Sequence, residues 1–268
     1  MTQSETQFLY PTSDRVGDYI SLPSVLRQTS LETTSVEPIT ATGRPRMAFH
    51  FGNLPTEVIK PCGQQANVSQ MDLLGQMTSA GLYSSAEINV DSLVVEIDPL
   101  LLRRLCPNTP AWTLTNRRIP MLENFNKARD LYRSLATAPP KNRRAILQTW
   151  FDSLEPGKIT RLAQRTLTAI YRERGAISVR LLADEFDVST RTLQLTFRDE
   201  IGIPPKLFCS QIRCQLAAQS CGPQRTNSRI AVDHEYYDQP HMNRDFQRFL
   251  GMTPIETARS GYASTRVL

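Results

Sequence analysis

The clearest alternation of apolar and polar positions in the chain lies between Ser178 and Ile203. Its first part has apolar residues at helical spacing, which predict one buried face made of Leu181, Leu182, Ala183 and Phe186. Ser189 follows a break in this period and is a typical N-cap residue, so a second helix is predicted to begin there. The buried face of the second helix is predicted to consist of Leu193, Phe197 and Ile201. The stretch therefore predicts a helix-turn-helix.

The opposite face of the second helix carries Arg191, Gln194, Leu195 and Arg198. An arginine can pair with guanine, a glutamine with adenine, and an aliphatic side chain can pack on the methyl group of thymine in the major groove. This face therefore suits contact with base edges. The same residues are equally compatible with the solvated face of an ordinary helical hairpin, and this stretch alone does not distinguish the two interpretations.

A second copy of the layout follows between Arg229 and Arg259. The apolar run 230–232 predicts the first helix, Tyr236 and Tyr237 lie at the turn, and Asp238 is placed to cap the next helix. Pro240 falls in the first turn of that helix, where a missing amide costs nothing. The predicted inner face consists of Met242, Phe246 and Phe249, and the outer face of His241, Asn243, Arg244 and Arg248. The duplication favours a functional role for both units.

The two units together resemble the AraC/XylS family of transcription regulators, over roughly residues 159–262. The resemblance rests on the strings TLQLTF, YYDQPHMNRDF and GMTP in the order and spacing of that family, with Gly202, Pro204, Pro205 and Lys206 after the first unit. It implies an all-helical domain in which one long helix, Lys206 to about Gln219, joins the two units. It also implies sequence-specific binding to double-stranded promoter DNA.

Carried over position by position, the resemblance implies roles for particular side chains. Base contacts are expected from Arg191, Gln194 and Leu195 in the first unit and from Gln239, His241, Asn243 and Arg244 in the second. The resemblance also places Ser189 and Arg198 on phosphates. Apart from the resemblance, four arginines are placed to neutralise phosphates: Arg198, Arg213, Arg244 and Arg248.

Three positions depart from the family pattern: Leu195 replaces a frequent basic residue, Glu235 a usual glycine, and Pro240 a small polar residue. Glu235 lacks the freedom of glycine to take a positive φ, so an altered second turn is expected. It also brings a carboxylate near the DNA-facing turn, where it would repel phosphate. These departures leave an alternative open, in which an interaction or regulatory protein retains the fold but binds DNA weakly.

A length of 268 residues is too great for this module alone and predicts a second domain. We expect a partly flexible segment at 1–43, a sensory or dimerisation domain at 44–155, and the DNA-binding domain at 158–262. The predicted fold class is α+β overall, with a small mixed β-sheet and helices in the N-terminal domain and an all-α C-terminal domain. Strands are predicted at Met47–Gly52, Asp72–Met77 and Ser92–Ile97, and helices at Pro99–Leu105, Asn124–Ala136 and Asn142–Leu154.

The boundary between the two domains is expected at the chain-breaking sequence 155–157, Glu-Pro-Gly. The N-terminal half also faintly resembles the small sensory domain of one subset of AraC-type regulators. That resemblance rests on a strand, a proline-led helix and the basic and apolar string 114–122.

The charge balance agrees with binding to nucleic acid without establishing it. The net charge is +5, and residues 153–268 contain 16 basic and 12 acidic residues, an excess of four against one in the remainder. No apolar run is long enough for a membrane span and the first 30 residues do not have the pattern of a secretory signal, so a cytoplasmic protein without membrane association is expected.

Catalysis is not expected. An alkyl-transferring thiolate activated by a metal needs several cysteine ligands, but the N-terminal half offers only Cys62 and Cys106. His50 is the single histidine of that half and is interpreted as a strand residue, and no phosphate-binding glycine pattern occurs. Cys209 and Cys214 are interpreted as reduced thiols on the connecting helix. No metal and no cofactor is expected. Besides DNA, candidate partners are RNA polymerase, a small-molecule effector or protein partner at the N-terminal domain, and a second copy of the chain.

Overall fold

The computed structural model describes residues 7–9, 24–29, 35–52, 54, 57–59, 65–66, 68–85, 90–125, 127–155, 157, 159–222 and 224–260. The C-terminal residues 261–268 and most of residues 1–34 lie outside these ranges, as does Cys62. The predicted flexible segment 1–43 therefore falls largely on residues outside the described ranges, but its described end, residues 35–43, contains a strand and the buried residues 40–42. Within the described residues, no helix is long and apolar enough to cross a membrane.

The N-terminal half is built on two antiparallel sheets. The larger sheet has the strand order β1-β2-β9-β4-β7-β10 and the smaller has β3-β8-β5-β6. The strands are β1 (Gln7–Leu9), β2 (Ser24–Thr29), β3 (Ser35–Ile39), β4 (Arg46–His50), β5 (Glu57–Ile59), β6 (Gln65–Ala66), β7 (Met71–Leu74), β8 (Gly81–Ser85), β9 (Val90–Glu96) and β10 (Arg118–Pro120).

The predicted strands at 47–52, 72–77 and 92–97 correspond to β4, β7 and β9, which are neighbours in the larger sheet. Every residue of β4 is buried, because strands pair on both of its edges and the sheet is covered by helices. The expected α+β class is confirmed, but the described ladders are all antiparallel rather than mixed.

Helices cover the larger sheet and close the first hydrophobic core. They are α1 (Leu101–Leu105), α2 (Met121–Asn124), α3 (Ala128–Thr137) and α4 (Pro140–Asp152), with a 3-10 helix at Ala111–Leu114. Met47, Leu93 and Val95 from the sheet pack with Leu131 and Phe151 from the helices. Pro140 lies in the first turn of α4, so the helix begins two residues before the predicted start at Asn142.

The C-terminal half is all-helical. Its helices are α5 (Arg161–Arg172), α6 (Val179–Glu185), α7 (Thr190–Ile201), α8 (Pro205–Gln219), α9 (Asn227–Asp233), α10 (Gln239–Leu250) and α11 (Pro254–Arg259). The predicted long connecting helix is α8, and it lies between two cores, one around α6 and α7 and one around α9 and α10. Cys209 and Cys214 of α8 are buried free thiols whose pKa values are raised because burial disfavours the thiolate.

Leu181, which was predicted to lie on the buried face of α6, is instead 60% exposed, while its neighbour Leu182 is buried. In α9, Val232 of the apolar run is 69% exposed, while Ile230 is buried. Both helices are only seven residues long, so each buries a narrow stripe against its recognition helix and not the whole apolar run.

The two halves are packed against each other and are not merely tethered. Leu100 belongs to the core around α6 and α7, and Ala41 and Met77 belong to the core around α9 and α10. The Gln211 side chain of α8 is fully buried and donates from Nε2 to the Met77 carbonyl at 2.6 Å. The N-terminal domain therefore contacts both helix-turn-helix units at once.

Candidate nucleic-acid interface

The first helix-turn-helix is formed by α6 and α7, and hydroxyl caps begin both helices. Ser178 Oγ accepts from the Leu181 amide at 3.2 Å, and Ser189 Oγ accepts from the Thr192 amide at 3.0 Å. The predicted inner residues of α7, Leu193, Phe197 and Ile201, are buried. The cap and the packing together orient α7 with its opposite face outward.

The outward face of α7 carries the four residues singled out in the sequence, Arg191, Gln194, Leu195 and Arg198, all exposed. Within the described part of the chain, Arg191 and Gln194 make no hydrogen bond through their side chains, so their donors are available to a ligand. Leu195, one turn after Arg191, is an exposed aliphatic residue. The surface combines the chemistry for contacting guanine, adenine and thymine.

The second helix-turn-helix is formed by α9 and α10 and repeats this construction. Thr226 Oγ1 accepts from the Arg229 amide at 3.3 Å, and Asp238 Oδ1 accepts from the His241 amide at 2.6 Å. The predicted Asp238 cap is therefore confirmed, and Pro240 lies in the first turn as expected. Met242, Phe246 and Phe249 are buried as predicted.

The turns of the two units have the same backbone conformation. Asp187 has φ +52° and Glu235 has φ +55°, each directly after the C-cap of the first helix. The expectation that Glu235 alters the second turn is therefore wrong, because the glutamate adopts the left-handed conformation that glycine would take. A side chain with a Cβ pays about 1 to 2 kcal/mol for that conformation.

More of the outward side chains of α10 than of α7 have contacts within the protein. Gln239 Oε1 accepts from Ser228 Oγ at 3.2 Å, and the His241 ring lies edge-on to Tyr236 with 5.2 Å between ring centres. Asn243 is half-buried, and its Oδ1 has no partner among the described residues. Arg244 is exposed, with Nε donating to the Pro240 carbonyl at 3.3 Å.

Asp245 lies one turn after His241, with 3.9 Å between Asp245 Oδ2 and His241 Nε2. Burial raises the pKa of the Asp245 carboxyl, opposed by His241, Arg213 and Arg248. This carboxyl thus belongs to the inner side of α10.

The exposed arginines of the C-terminal half differ in their partners. Four that lie away from the recognition helices are paired with carboxylates: Arg172 with Glu173 at 2.7 Å, Arg180 with Asp184 at 3.9 Å, Arg225 with Asp233 at 3.5 Å and Arg229 with Asp233 at 3.0 Å. Four others, Arg161, Arg165, Arg174 and Arg259, form no ion pair with a described residue.

Among the residues that the structure describes, the exposed arginines on the recognition helices form no ion pair; they are Arg191, Arg198, Arg244 and Arg248. Their positive charge is therefore not neutralised within the protein. An anionic ligand would find it on the outer faces of α7 and α10.

Two exposed aromatic residues at or beside this surface were not included among the candidate site residues of the sequence. Tyr237 is 93% exposed and directly precedes the N-cap of α10, and the doubled tyrosine in the turn was the available signal. Trp112 of the N-terminal domain lies beside α7, with its ring centre 4.8 Å from the Arg198 guanidinium carbon. Nothing in the local sequence of Trp112 indicates that contact, which joins residues 86 positions apart in the chain.

Comparisons with known proteins agree with this construction. Residues 182–260 match the family of helix-turn-helix domains. One structure of ToxT from Vibrio cholerae covers 88% of this chain and 99% of its own, at 10% identity and a TM-score of 0.50. A structure of wild-type ToxT from the same organism, bound to an unsaturated fatty acid, covers 96% of both chains at 10% identity and a TM-score of 0.50.

A third structure covers a smaller share of this chain. The C-terminal domain of AraT, a response regulator from Geobacillus stearothermophilus, covers 42% of this chain and 91% of its own, at 20% identity and a TM-score of 0.35. Comparison with characterised protein sequences gives no match. At these identities the likeness to solved structures concerns the fold.

Proposed function

We propose that the protein is a DNA-binding transcription regulator that binds a specific sequence by reading two successive major-groove segments. The match of residues 182–260 to a family of helix-turn-helix domains supports the proposal. The observation that carries the proposal is the set of exposed arginines on the outer faces of the two recognition helices. Arg191 and Arg198 of α7 and Arg244 and Arg248 of α10 form no ion pair with a described residue.

In the first unit, α7 enters the major groove with its N-terminal turns against the base edges. Arg191 and Gln194 donate to bases, and Leu195 packs on a thymine methyl group. Ser189 and Arg198, at the two ends of this face, contact phosphates and fix the register. The free donors of Arg191 and Gln194 support this assignment.

In the second unit, α10 enters the next segment of the groove. Gln239, His241, Asn243 and Arg244 face the bases, and Arg248 contacts phosphate. Gln239 and His241 already have contacts within the protein, so base reading by this unit costs those contacts. The second segment therefore contributes less to specificity than the first, and phosphate contacts dominate its binding.

The two units lie on one chain and are joined by α8, so no twofold axis relates them. A single chain then recognises an asymmetric site in which the two protected segments are about 10 base pairs apart on one side of the duplex. Dimerisation through the N-terminal domain would produce repeats of that longer site. Affinity decreases steeply as salt increases, since each neutralised phosphate releases counterions.

The N-terminal domain, residues 44–155, has the role of a sensory or dimerisation domain in this proposal. The fold likeness to ToxT, one structure of which holds an unsaturated fatty acid, supports a small-molecule effector for this chain. RNA polymerase and a second copy of the chain are the proposed protein partners. We place the boundary between the domains at residues 155–157.

The proposal is tested by selecting duplexes from a random pool with the full chain and then footprinting the selected site. We expect Arg191→Ala and Gln194→Ala each to weaken binding by about 1 to 3 kcal/mol and to relax preference at particular base pairs. The matched control is Arg172→Ala, which removes an exposed but ion-paired arginine of α5 and should leave affinity within about twofold.

Two results would contradict the proposal. Equal weakening on all sequences by both variants would show that α7 contacts phosphates and not bases. Failure of the selection to enrich any sequence would favour the alternative, an interaction protein that retains the fold and binds DNA weakly.

A further inference from the structure

The N-terminal domain contacts α7 at the residue expected to bind phosphate. Trp112 stands at the exposed side of the 3-10 helix 111–114, with 43% of its surface exposed, and Arg198 stacks over its ring at 4.8 Å. Thr115 Oγ1 then donates to the Gly202 carbonyl at 2.6 Å, which holds the end of α7 against the same segment.

The N-terminal domain makes a second contact of this kind with α10. Arg248 Nε donates to the Thr78 carbonyl at 3.1 Å, and the Ala80 amide donates to the Arg248 carbonyl at 2.6 Å. Arg198 lies four residues before Gly202 and Arg248 three residues before Gly251, so each arginine is in the last turn of its recognition helix. The same domain therefore contacts an arginine near the end of both recognition helices.

The two contacts belong to one hydrogen-bonded element, residues 76–80 with 111–116, which we call the platform. Asn116 joins its halves: Oδ1 accepts from the Thr78 amide at 2.9 Å, and Nδ2 donates to Thr78 Oγ1 at 2.9 Å. The Asn116 amide also donates to the Gln76 carbonyl at 2.7 Å. Trp112 and the Thr78 carbonyl are thus fixed relative to each other.

Neither contact occupies the terminal N–H donors with which the two guanidinium groups would bind phosphate. Stacking on an indole ring uses the face of the guanidinium, and its five N–H donors point outward in the guanidinium plane. The bond from Arg248 uses Nε and leaves both terminal nitrogens. Both arginines remain exposed. The platform therefore restricts the rotamers of two long side chains while leaving their donors available, which lowers the entropic cost of a later bond to DNA.

We propose that the platform is part of the DNA-binding surface, with Trp112 acting as a positioning residue for Arg198 and the Thr78 carbonyl doing the same for Arg248. The inference rests on the proposed function, since it presupposes that these arginines bind phosphate. Its consequence is that the N-terminal domain presets one phosphate contact in each unit.

The test compares full-length variants on the selected duplex, extended to about 30 base pairs so that both groove segments are present. We expect Trp112→Ala to weaken binding about threefold to tenfold, as loss of a partly exposed cation–π contact implies. The slope of affinity against salt should decrease by up to about one phosphate contact. Trp112→Phe retains an aromatic face and should restore most of the loss.

A double variant separates positioning from a general structural effect. With Arg198→Ala in place, Trp112→Ala should have little further effect on affinity, because no guanidinium remains to be positioned. Asn116→Gly tests the contact of the platform with Arg248. Glycine can keep the φ of +57° but removes the side-chain hydrogen bonds to Thr78. The variant should weaken binding, because the Thr78 carbonyl that positions Arg248 is then held less firmly. Melting temperatures measured in parallel show that each variant is folded.

The outcomes are distinguishable. If Arg198→Ala weakens binding but Trp112→Ala leaves it unchanged, the proposed function stands and the positioning role is overturned. Tighter binding by Trp112→Ala overturns it as well, since Trp112 would then be withholding Arg198 from DNA. If Arg198→Ala has no effect on affinity or on the salt slope, the phosphate role of α7 in the proposed function is itself refuted, and positioning is refuted with it.

Discussion

Replacing Glu235 with glycine should make the protein more stable. Glu235 lies in the turn between α9 and α10 at φ +55°, where a residue with a Cβ pays about 1 to 2 kcal/mol. Glycine adopts this conformation without that cost, but it loses about 0.5 to 1 kcal/mol more conformational entropy on folding. The difference predicts a net stabilisation of about 1 kcal/mol, or a rise of about 2 to 4 °C in melting temperature for a chain of this size.

Two further variants separate backbone strain from charge. Glu235→Ala removes the carboxylate but retains the Cβ, so we expect no gain in stability. Asp187→Gly changes the corresponding residue of the first turn, at φ +52°, and should gain less than Glu235→Gly because aspartate tolerates the left-handed conformation better than glutamate does. The free energy of unfolding in urea, measured for all three variants, tests these expectations.

DNA affinity should follow the charge and not the strain. Both Glu235→Ala and Glu235→Gly remove a carboxylate near the groove, and at a separation of about 10 Å in water a unit charge contributes about 0.4 kcal/mol, or about twofold in affinity. The gain should disappear at high salt. Equal stabilities of the alanine and glycine variants would refute the strain argument, and a gain confined to the glycine variant at every salt concentration would refute the electrostatic one.

The remaining predictions concern the domain interface and pH. Gly202→Ala should destabilise the protein by about 2 to 3 kcal/mol, because the new Cβ would lie only 3.2 Å from the Ala111 carbonyl oxygen at a residue with φ +103°. Gly251→Ala should cost about 1 kcal/mol, because Gly251 has φ +70° but lies on the exposed end of α10. Thermal unfolding of the pair checks the difference, and equal losses would contradict it. The pKa of His50 is lowered to about 4, mainly by burial, so the unfolded chain binds the proton more tightly than the folded one and stability decreases as pH falls from about 6.5 towards 4. We expect the free energy of unfolding to fall by about 2 kcal/mol between pH 7 and pH 5. His50→Asn should largely abolish this loss while retaining a polar partner for Ser92 Oγ, which lies 2.7 Å from His50 Nδ1. An unchanged pH dependence in urea titrations of that variant would show that other groups cause it.

The local sequence was sufficient to predict both helix-turn-helix units. Each depends on interactions within about four residues: an apolar stripe at helical spacing, a Ser or Asp hydroxyl or carboxylate at the N-cap, and a glycine at the end of the recognition helix. The caps at Ser189 and Asp238 and the outward position of Arg191 are consequences of these short-range rules. The central strands β4, β7 and β9 were predicted from local sequence as well, because each is a short run with β-branched or aromatic residues bounded by Gly, Pro or Asn.

What the tertiary structure alone decided lies in contacts between residues far apart in the chain. A positive φ at Glu235 is disfavoured by its own side chain, and it persists because the packing of α9 on α10 outweighs a cost of about 1 to 2 kcal/mol. The exposure of Leu181 depends on how wide a stripe its short helix buries. The contact between Trp112 and Arg198 joins two domains, so no pattern in either segment contains it. Periodicity specifies which face of a helix is apolar, but only the folded chain determines what that face and its neighbours meet.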